Sequence, residues 1–211
     1  MINFQSLKKL VIAPHIDDEV LGLGALLDVN THVLHLGCSP QQNHGNILLS
    51  RNDRLLEWES VSQLTGCSHT LLDHPVNNYQ VSNLIPDIEK FINFTKSDIC
   101  FIPNASYNQD HKASYEASII ALRPHDLNFF VPNVFIYYQP QDLWMPNIPA
   151  EPNTFFHVCI KEHLRTYLCL SSQVRSYRSP EIIKSQLSVY GAMAGFDYAL
   201  AFRCIRNVIS L

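Results

Sequence analysis

Strand-like and helix-like segments alternate along most of this chain. Apolar runs typical of buried strands, LVIAP (10–14), HVLHLGC (32–38) and DICFIP (98–103), are each followed by a segment with apolar residues at helical spacing. Such alternation favours strands that pair in parallel through right-handed helical crossovers. The sequence therefore predicts an α/β fold, a single domain over residues 1–211 with a doubly wound, mostly parallel sheet flanked by helices. In this fold a ligand site lies beyond the carboxyl ends of the strands.

The remaining segments extend the same pattern. Further strands are predicted at 70–73, 134–139 and 155–160, and helices at 18–29, 47–66, 84–95, 112–122, 161–175 and 180–193. Gly66 is predicted to close the long second helix. The stretch 139–154 is rich in Pro and Asn and is long for a connection in one domain. We expect it to shape a substrate cleft.

Charge and cysteine content exclude several classes of protein. The net charge is −4 and no basic residues cluster, which disfavours nucleic acid and anionic membranes as partners. No apolar run reaches the roughly 20 residues of a membrane helix, and the N-terminus lacks the pattern of a signal peptide. The six cysteines are scattered and none forms CxxC, so we expect buried free thiols in a reducing compartment. The expected location is the cytoplasm.

The segment PHIDDE (14–19) places acids and a histidine where the first strand ends. His15 and Asp18 are three residues apart across a tight turn, so both can face one point, and Asp17 can face the same cavity. Imidazole and carboxylate are ligands of catalytic zinc. A third ligand is available in His111, which follows the strand DICFIP. Acids at a helix start also serve as caps, but two such clusters at equivalent strand ends favour a shared site.

PHIDDEVLGLG resembles the signature of the LmbE-like, or PIG-L, family of zinc-dependent N-deacetylases, whose pattern begins AHPDDE. NQDH (108–111) resembles the second motif of that family, which ends in Asp-His. Weaker similarities are found in RLLEWESVSQLTG (54–66), SSQVRSY (171–177) and GFDYALAF (195–202). The resemblance covers most of the chain.

The resemblance implies a Rossmann-like sheet and hydrolysis of an acetamide, usually on an amino sugar. Carried over by position, His15, Asp18 and His111 bind one Zn²⁺ per chain and Asp17 is the general base. The expected function is zinc-dependent removal of acetyl from an N-acetylated amino sugar or sugar conjugate, a small-molecule substrate. A metal-containing binding or scaffold protein with lost turnover is the alternative, and the intact Asp17 favours the enzyme. The sequence leaves homo-oligomerisation open.

Several residues are expected to support this site. Glu19 is predicted to support the turn and orient a ligand, and Asp110 to contact the metal-site turn from behind. Arg54 and His44 are candidates for substrate contacts. Gly22 and Gly24 permit either substrate approach or close packing of helix on sheet.

Four positions depart from the family pattern. Ile16 replaces the usual Pro, Ser106 an acid, and Leu200 a glutamate of the tail motif. Asn108 stands where many relatives have a histidine that assists the oxyanion. We predict that the Asn108 amide donates to the oxyanion in its place; the alternative is a helix cap for the segment 112–122.

Overall fold

The computed structural model describes residues 4–43, 46–140, 142 and 151–208. Its strands are β1 (Lys9–Ala13), β2 (Thr31–His35), β3 (Gln41–Asn43), β4 (Asn46–Leu49), β5 (Ser68–Leu71), β6 (Ile99–Pro103), β7 (Asn133–Tyr137), β8 (Thr154–His157) and β9 (Ala199–Asn207). Its α-helices are α1 (Asp18–Leu23), α2 (Arg51–Thr65), α3 (Val81–Thr95), α4 (Gln109–Ala121), α5 (Ile160–Leu168) and α6 (Pro180–Ala194). Within this part of the chain, no helix combines the length and apolar character needed to cross a bilayer.

Seven strands form one sheet in the order β5-β2-β1-β6-β7-β9-β8, and β3 pairs with β4 in a separate hairpin. The five strands from β5 to β7 are parallel, whereas β9 runs antiparallel to both β7 and β8. The predicted α/β fold with a mostly parallel sheet is confirmed. The strand β9 was not predicted, because charged residues interrupt the apolar pattern in its second half.

Helices cover both faces of the sheet around β1. All five residues of β1 are buried, and successive side chains point to opposite faces. Leu10 and Ile12 pack in a core layer with α3 and α4, while Val11 and Ala13 pack in a second layer with residues of α2, α5 and α6. A strand buried on both faces needs a continuous apolar run, and LVIA provides it.

Several predicted helices have different bounds. The helix predicted at 18–29 ends at Leu23 and is followed by a 3-10 turn at 24–26. The helices predicted at 84–95 and 112–122 begin three residues earlier, at Val81 and Gln109. The helix predicted at 47–66 begins at Arg51, because Ser50 and Asp53 form a capping box and the residues before them form β4. It ends as predicted at Gly66, which adopts the left-handed conformation with φ 78°. The helix predicted at 161–175 ends at Leu168 and is followed by two short 3-10 turns, at 171–173 and 176–178.

The cysteines do not all occupy the expected environment. All six are free, and Cys38, Cys67 and Cys100 are buried. The prediction of buried thiols is wrong for Cys159, which is exposed before α5, and Cys169 and Cys204 are only partly buried. Cys159 and Cys169 flank α5, and Cys204 lies in the partly exposed second half of β9. At such positions an apolar neighbour in sequence does not guarantee burial.

His163 in α5 makes stability depend on pH. It is fully buried, its Nδ1 accepts from Ala25 N–H at 3.3 Å, and burial lowers its pKa from 6.5 to about 4. Between pH 4 and 6.5 the His163 side chain is protonated in the unfolded chain but neutral in the folded chain. The contribution of neutral His163 to stability is therefore complete above pH 6.5 and declines as the pH falls towards 4. We expect a loss of about 3 kcal/mol from this residue. Chemical denaturation across that range should show a flatter pH dependence for His163→Leu than for the wild type, whereas His157→Leu, at an exposed position, should retain the slope.

Candidate active site

The turn between β1 and α1 is held in an unusual backbone conformation. Asp17, which precedes α1, has φ 139°, a value rarely adopted by residues other than glycine. The carboxylate of Glu19 lies behind the turn and accepts from Asp17 N–H at 3.3 Å and from Trp58 Nε1 at 2.9 Å. His35 Nε2 lies 3.1 Å from the same carboxylate. These buried contacts compensate for the strain and place Glu19 where it supports the turn.

His15, Asp18 and His111 converge on one point at the carboxyl edge of the sheet. Asp18 Oδ2 lies 3.4 Å from His15 Nδ1 and 3.3 Å from His111 Nε2, and one ligand atom from each residue lies within 4.8 Å of the others. His15 and Asp18 follow β1, and His111 stands in the first turn of α4 after the neighbouring strand β6. The parallel pairing of β1 with β6 therefore brings together residues that are 93 or more positions apart in the chain.

Asp110 fixes the orientation of the His15 ring. Its Oδ2 lies 3.0 Å from His15 Nε2 and also accepts from Asn77 N–H at 2.6 Å, while Oδ1 accepts from Tyr79 N–H at 3.2 Å. The bond to Nε2 leaves His15 Nδ1 facing Asp18. A carboxylate that orients the far nitrogen of a histidine is typical of metal sites.

Electrostatics make this cluster favourable for a cation. Burial alone would lower the pKa of His15, but its contacts with Asp110 and Asp18 outweigh burial and raise the pKa to about 10. Burial would raise the pKa of Asp18, but His111 and His15 hold that pKa well below its usual range. The carboxylates thus favour a positive charge at this point, and a carboxylate beside two imidazoles is a donor set that fits a divalent metal.

Gln139 also contacts the cluster, and sequence reasoning did not single it out. This buried residue, just beyond β7, donates through Nε2 to Asp18 Oδ1 at 2.7 Å. With Oδ1 engaged by the amide, Asp18 Oδ2 remains directed at the two histidines. Its place at the end of a third parallel strand was the available signal, because the carboxyl ends of β1, β6 and β7 share one edge.

Asp17 lies beside the cluster between two arginines. Its Oδ2 accepts from Arg178 Nη1 at 3.1 Å, and its Oδ1 lies 3.6 Å from Arg54 Nη2. Burial and the neighbouring Asp18 raise the pKa of Asp17, and Arg178 and Arg54 oppose this rise. Arg178 was missed because the motif-like segment SSQVRSY ends one residue before it.

The structure can now be compared with known proteins. No protein-family model and no curated sequence matches the chain, but solved structures do. An N,N'-diacetylchitobiose deacetylase from Pyrococcus horikoshii aligns over 96% of this chain and 85% of its own, with TM-score 0.78 and 18% identity. The zinc-inhibited form of a teicoplanin deacetylase aligns over 96% and 99%, with TM-score 0.69 and 16% identity. This chain has the deacetylase fold.

The deacetylase fold is not restricted to deacetylases. A 4-carboxy-2-hydroxymuconate hydratase from Pseudomonas putida KT2440 aligns over 97% of this chain and 99% of its own, with TM-score 0.74 and 16% identity. The resemblance to the LmbE-like, or PIG-L, family is thus confirmed as a likeness of fold. The reaction has to be argued from the site itself.

Within the deacetylase fold, Arg54 and Asn108 lie at the site and make structural contacts. Arg54 donates to the carbonyl oxygen of Ile16 and approaches Ser39 O at 3.5 Å, so it braces the turn beside Asp17. Asn108 is the N-cap of α4, since its Oδ1 accepts from Asp110 N–H at 2.8 Å. Its Nδ2 has no hydrogen-bond partner among the described residues. The substrate and oxyanion roles of the two side chains stay predictions.

Two predictions fall on residues that are not described. His44 lies outside the described residues, and so does most of the loop 139–154, in which only 139, 140, 142 and 151–154 are described. Asp142, the isolated described position, is buried and accepts from Gln139 N–H at 3.0 Å. The expected contributions of His44 and of this loop to a substrate cleft stay predictions.

The departures from the family pattern have local explanations. Ile16 is buried in the core layer beneath the turn, and Leu200 is buried in β9 beside β8. Ser106 Oγ accepts from Asn108 N–H at 3.3 Å. At Gly22 an added Cβ would lie 2.4 Å from the Tyr137 ring, so this glycine permits close packing of α1 on the sheet.

Proposed function

We propose that this protein is a metal-dependent hydrolase that removes acetyl from an N-acetylated amino sugar or sugar conjugate in the cytoplasm. The observation that carries the proposal is the convergence of His15, Asp18 and His111 next to the buried carboxylate of Asp17. A protein that only binds a metal has no need of a second carboxylate beside the ligand set. The deacetylases of the same fold support the reaction class.

The three clustered residues would hold one Zn²⁺. Two imidazoles and one carboxylate form a ligand set used by catalytic zinc, which keeps a further position for water or substrate. Zinc bound there would polarise the amide carbonyl and lower the pKa of water to about 7. The contact from Asp110 to His15 supports this assignment, because it keeps the Nδ1 lone pair free for the ion.

The protein's own residues would carry the proton transfers. Asp18 is committed to His15, His111 and Gln139, and Asp110 is bonded to the far side of His15, so we assign to Asp17 the proton taken from the attacking water. The same proton can then pass to the departing amine. Asn108 Nδ2, which is not used by the helix cap, is the candidate donor to the oxyanion.

An amine-release assay tests the proposal. Purified protein with added Zn²⁺ should release one amine and one acetate per turnover from N-acetylglucosamine, N,N'-diacetylchitobiose or a nucleotide-linked N-acetyl sugar. The matched control is His15→Ala, which should release neither. The hydratase of the same fold suggests a second assay, loss of the absorbance of an unsaturated 2-hydroxy tricarboxylate. Turnover in that assay, with no amine from any acetamide, would replace the proposed reaction by water addition.

Asn108 can be tested separately as cap and as donor. Ser keeps a capping oxygen but is too short to reach the oxyanion, so Asn108→Ser should unfold near the wild-type temperature. If Nδ2 acts on the oxyanion, kcat should fall by about 10²-fold or more. Asn108→Ala should lose the cap as well, at a cost of about 1 kcal/mol. Wild-type kcat in Asn108→Ser would limit this residue to the cap, and the oxyanion donor would be another group.

A further inference from the structure

We propose that Arg178 is a positioning residue that holds the Asp17 carboxylate in the orientation needed for proton transfer. This inference rests on the proposed function, in which Asp17 is the base. Arg178 lies in the 3-10 turn 176–178, far from the turn at Asp17 in sequence, and is 8% exposed. Its Nη1 donates to Asp17 Oδ2 at 3.1 Å.

Arg178 is itself held by one further contact on its guanidinium group and by one on its main chain. Its Nη2 donates to Gln173 Oε1 at 2.8 Å, so the planar group bridges Asp17 and Gln173. The hydroxyl of Tyr167 donates to Arg178 O at 2.8 Å and approaches Gln173 O at 3.0 Å, which fixes the backbone of the same segment. The orientation of Arg178 is therefore set on both its side chain and its main chain.

The segment 171–178 is hydrogen-bonded to helix α2. The carboxylate of Glu57 accepts from Ser172 N–H at 2.7 Å and from Ser171 Oγ at 3.0 Å. Gln173 Nε2 in turn donates to Ser172 Oγ at 2.8 Å. A continuous set of polar contacts thus runs from Glu57 through the segment 171–178 to Oδ2 of Asp17.

Each oxygen of Asp17 consequently faces an arginine that is held by α2, and only Oδ2 is hydrogen-bonded. Arg54, on the same helix, lies 3.6 Å from Oδ1, and Arg178 bonds Oδ2. A general base has to be held within hydrogen-bond reach of the proton it takes, and a misplacement of about 1 Å can cost 10²-fold in rate. An arginine suits this task because its rigid fork reaches two acceptors at once, whereas a lysine offers a point charge.

A simpler reading is that Arg178 only neutralises a buried carboxylate. The two interpretations predict different results for Arg178→Lys, which keeps the positive charge but loses the planar group that donates to two acceptors at once. With N,N'-diacetylchitobiose as the probe, we expect kcat to fall about tenfold or more in Arg178→Lys and further in Arg178→Met. KM and bound zinc should stay within about twofold. Arg175→Met is the matched control, because Arg175 lies on the same segment without contacting Asp17 in the described structure, and its kcat should be unchanged.

A double-mutant cycle shows whether Arg178 acts through Asp17. In an Asp17→Asn background, Arg178→Lys should cause no further loss of kcat, and the unfolding free energies should be non-additive. Wild-type kcat in both Arg178 variants, equal losses with and without Asp17, or strictly additive unfolding free energies would each overturn the proposal. The unfolding free energies of the four proteins test the coupling of Arg178 with Asp17 even if N,N'-diacetylchitobiose is not hydrolysed. Full activity in Asp17→Asn alone would instead refute the proposed function.

Discussion

Asp17→Asn should retain bound metal and lose turnover by about 10²- to 10⁴-fold, the usual contribution of a general base. The amide keeps the shape of the side chain and can still accept from Arg178, but it has no basic oxygen to take the proton. Its neighbour Asp18 cannot replace it, because Asp18 faces His15 and His111 and accepts from Gln139.

The measurement is kcat per folded molecule, together with zinc content and thermal unfolding. Removing one buried charge leaves Arg178 without its ion-pair partner, so some loss of stability is expected. Asp28→Asn is the control: it deprives the buried Lys9 of its partner at the opposite end of β1 and should destabilise without lowering kcat. A wild-type rate in Asp17→Asn would mean that this carboxylate has only a structural role at the start of α1.

The double variant His15→Ala with His111→Ala should lose both the ion and the activity. Either substitution leaves too few ligands for a three-residue zinc site, so the metal content should fall from about one ion per chain to nearly none. Zinc at about 100 times its dissociation constant should raise the unfolding free energy of the wild type by about 2.7 kcal/mol and have no effect on the variant.

Elemental analysis and unfolding with and without zinc measure these effects. A double variant at His125 and His157, histidines that lie away from the cluster, is the control and should keep its metal. Full occupancy in the variant that lacks both His15 and His111 would show that the ion is held elsewhere. Occupancy by iron or cobalt would leave the ligand assignment intact and change the native metal.

The sequence predicted the parallel part of the fold well because that part depends on local patterns. Apolar runs such as LVIA are continuous where a strand is covered on both faces, and helical spacing marks the segments between them. The strand β9 has a mixed pattern and was missed. Its place is determined by antiparallel pairing with β7 and β8, which no local pattern in ALAFRCIRN encodes.

Some residues of the site could likewise be predicted from local sequence, and others could not. The sequence alone predicted a site at His15, Asp17, Asp18 and His111 from residue type and position at the ends of two strands, and the fold brings the three proposed ligands together. Gln139 and Arg178 became visible only in the folded chain. The contact of Gln139 with Asp18 depends on how β7 packs beside β6, and that of Arg178 with Asp17 on how the segment 171–178 is fastened to α2.

The tertiary structure also decided which contacts the predicted residues make. Asn108 was predicted as an oxyanion donor, with a helix cap as the alternative. The fold shows that its Oδ1 caps α4, and the cap does not use Nδ2. Arg54 was predicted as a substrate contact, which stays a prediction; the fold adds that it donates to the carbonyl oxygen of Ile16. Residue type determines which bonds a side chain can make, but only the packed chain determines which partners lie within about 3 Å, and those partners decide its role.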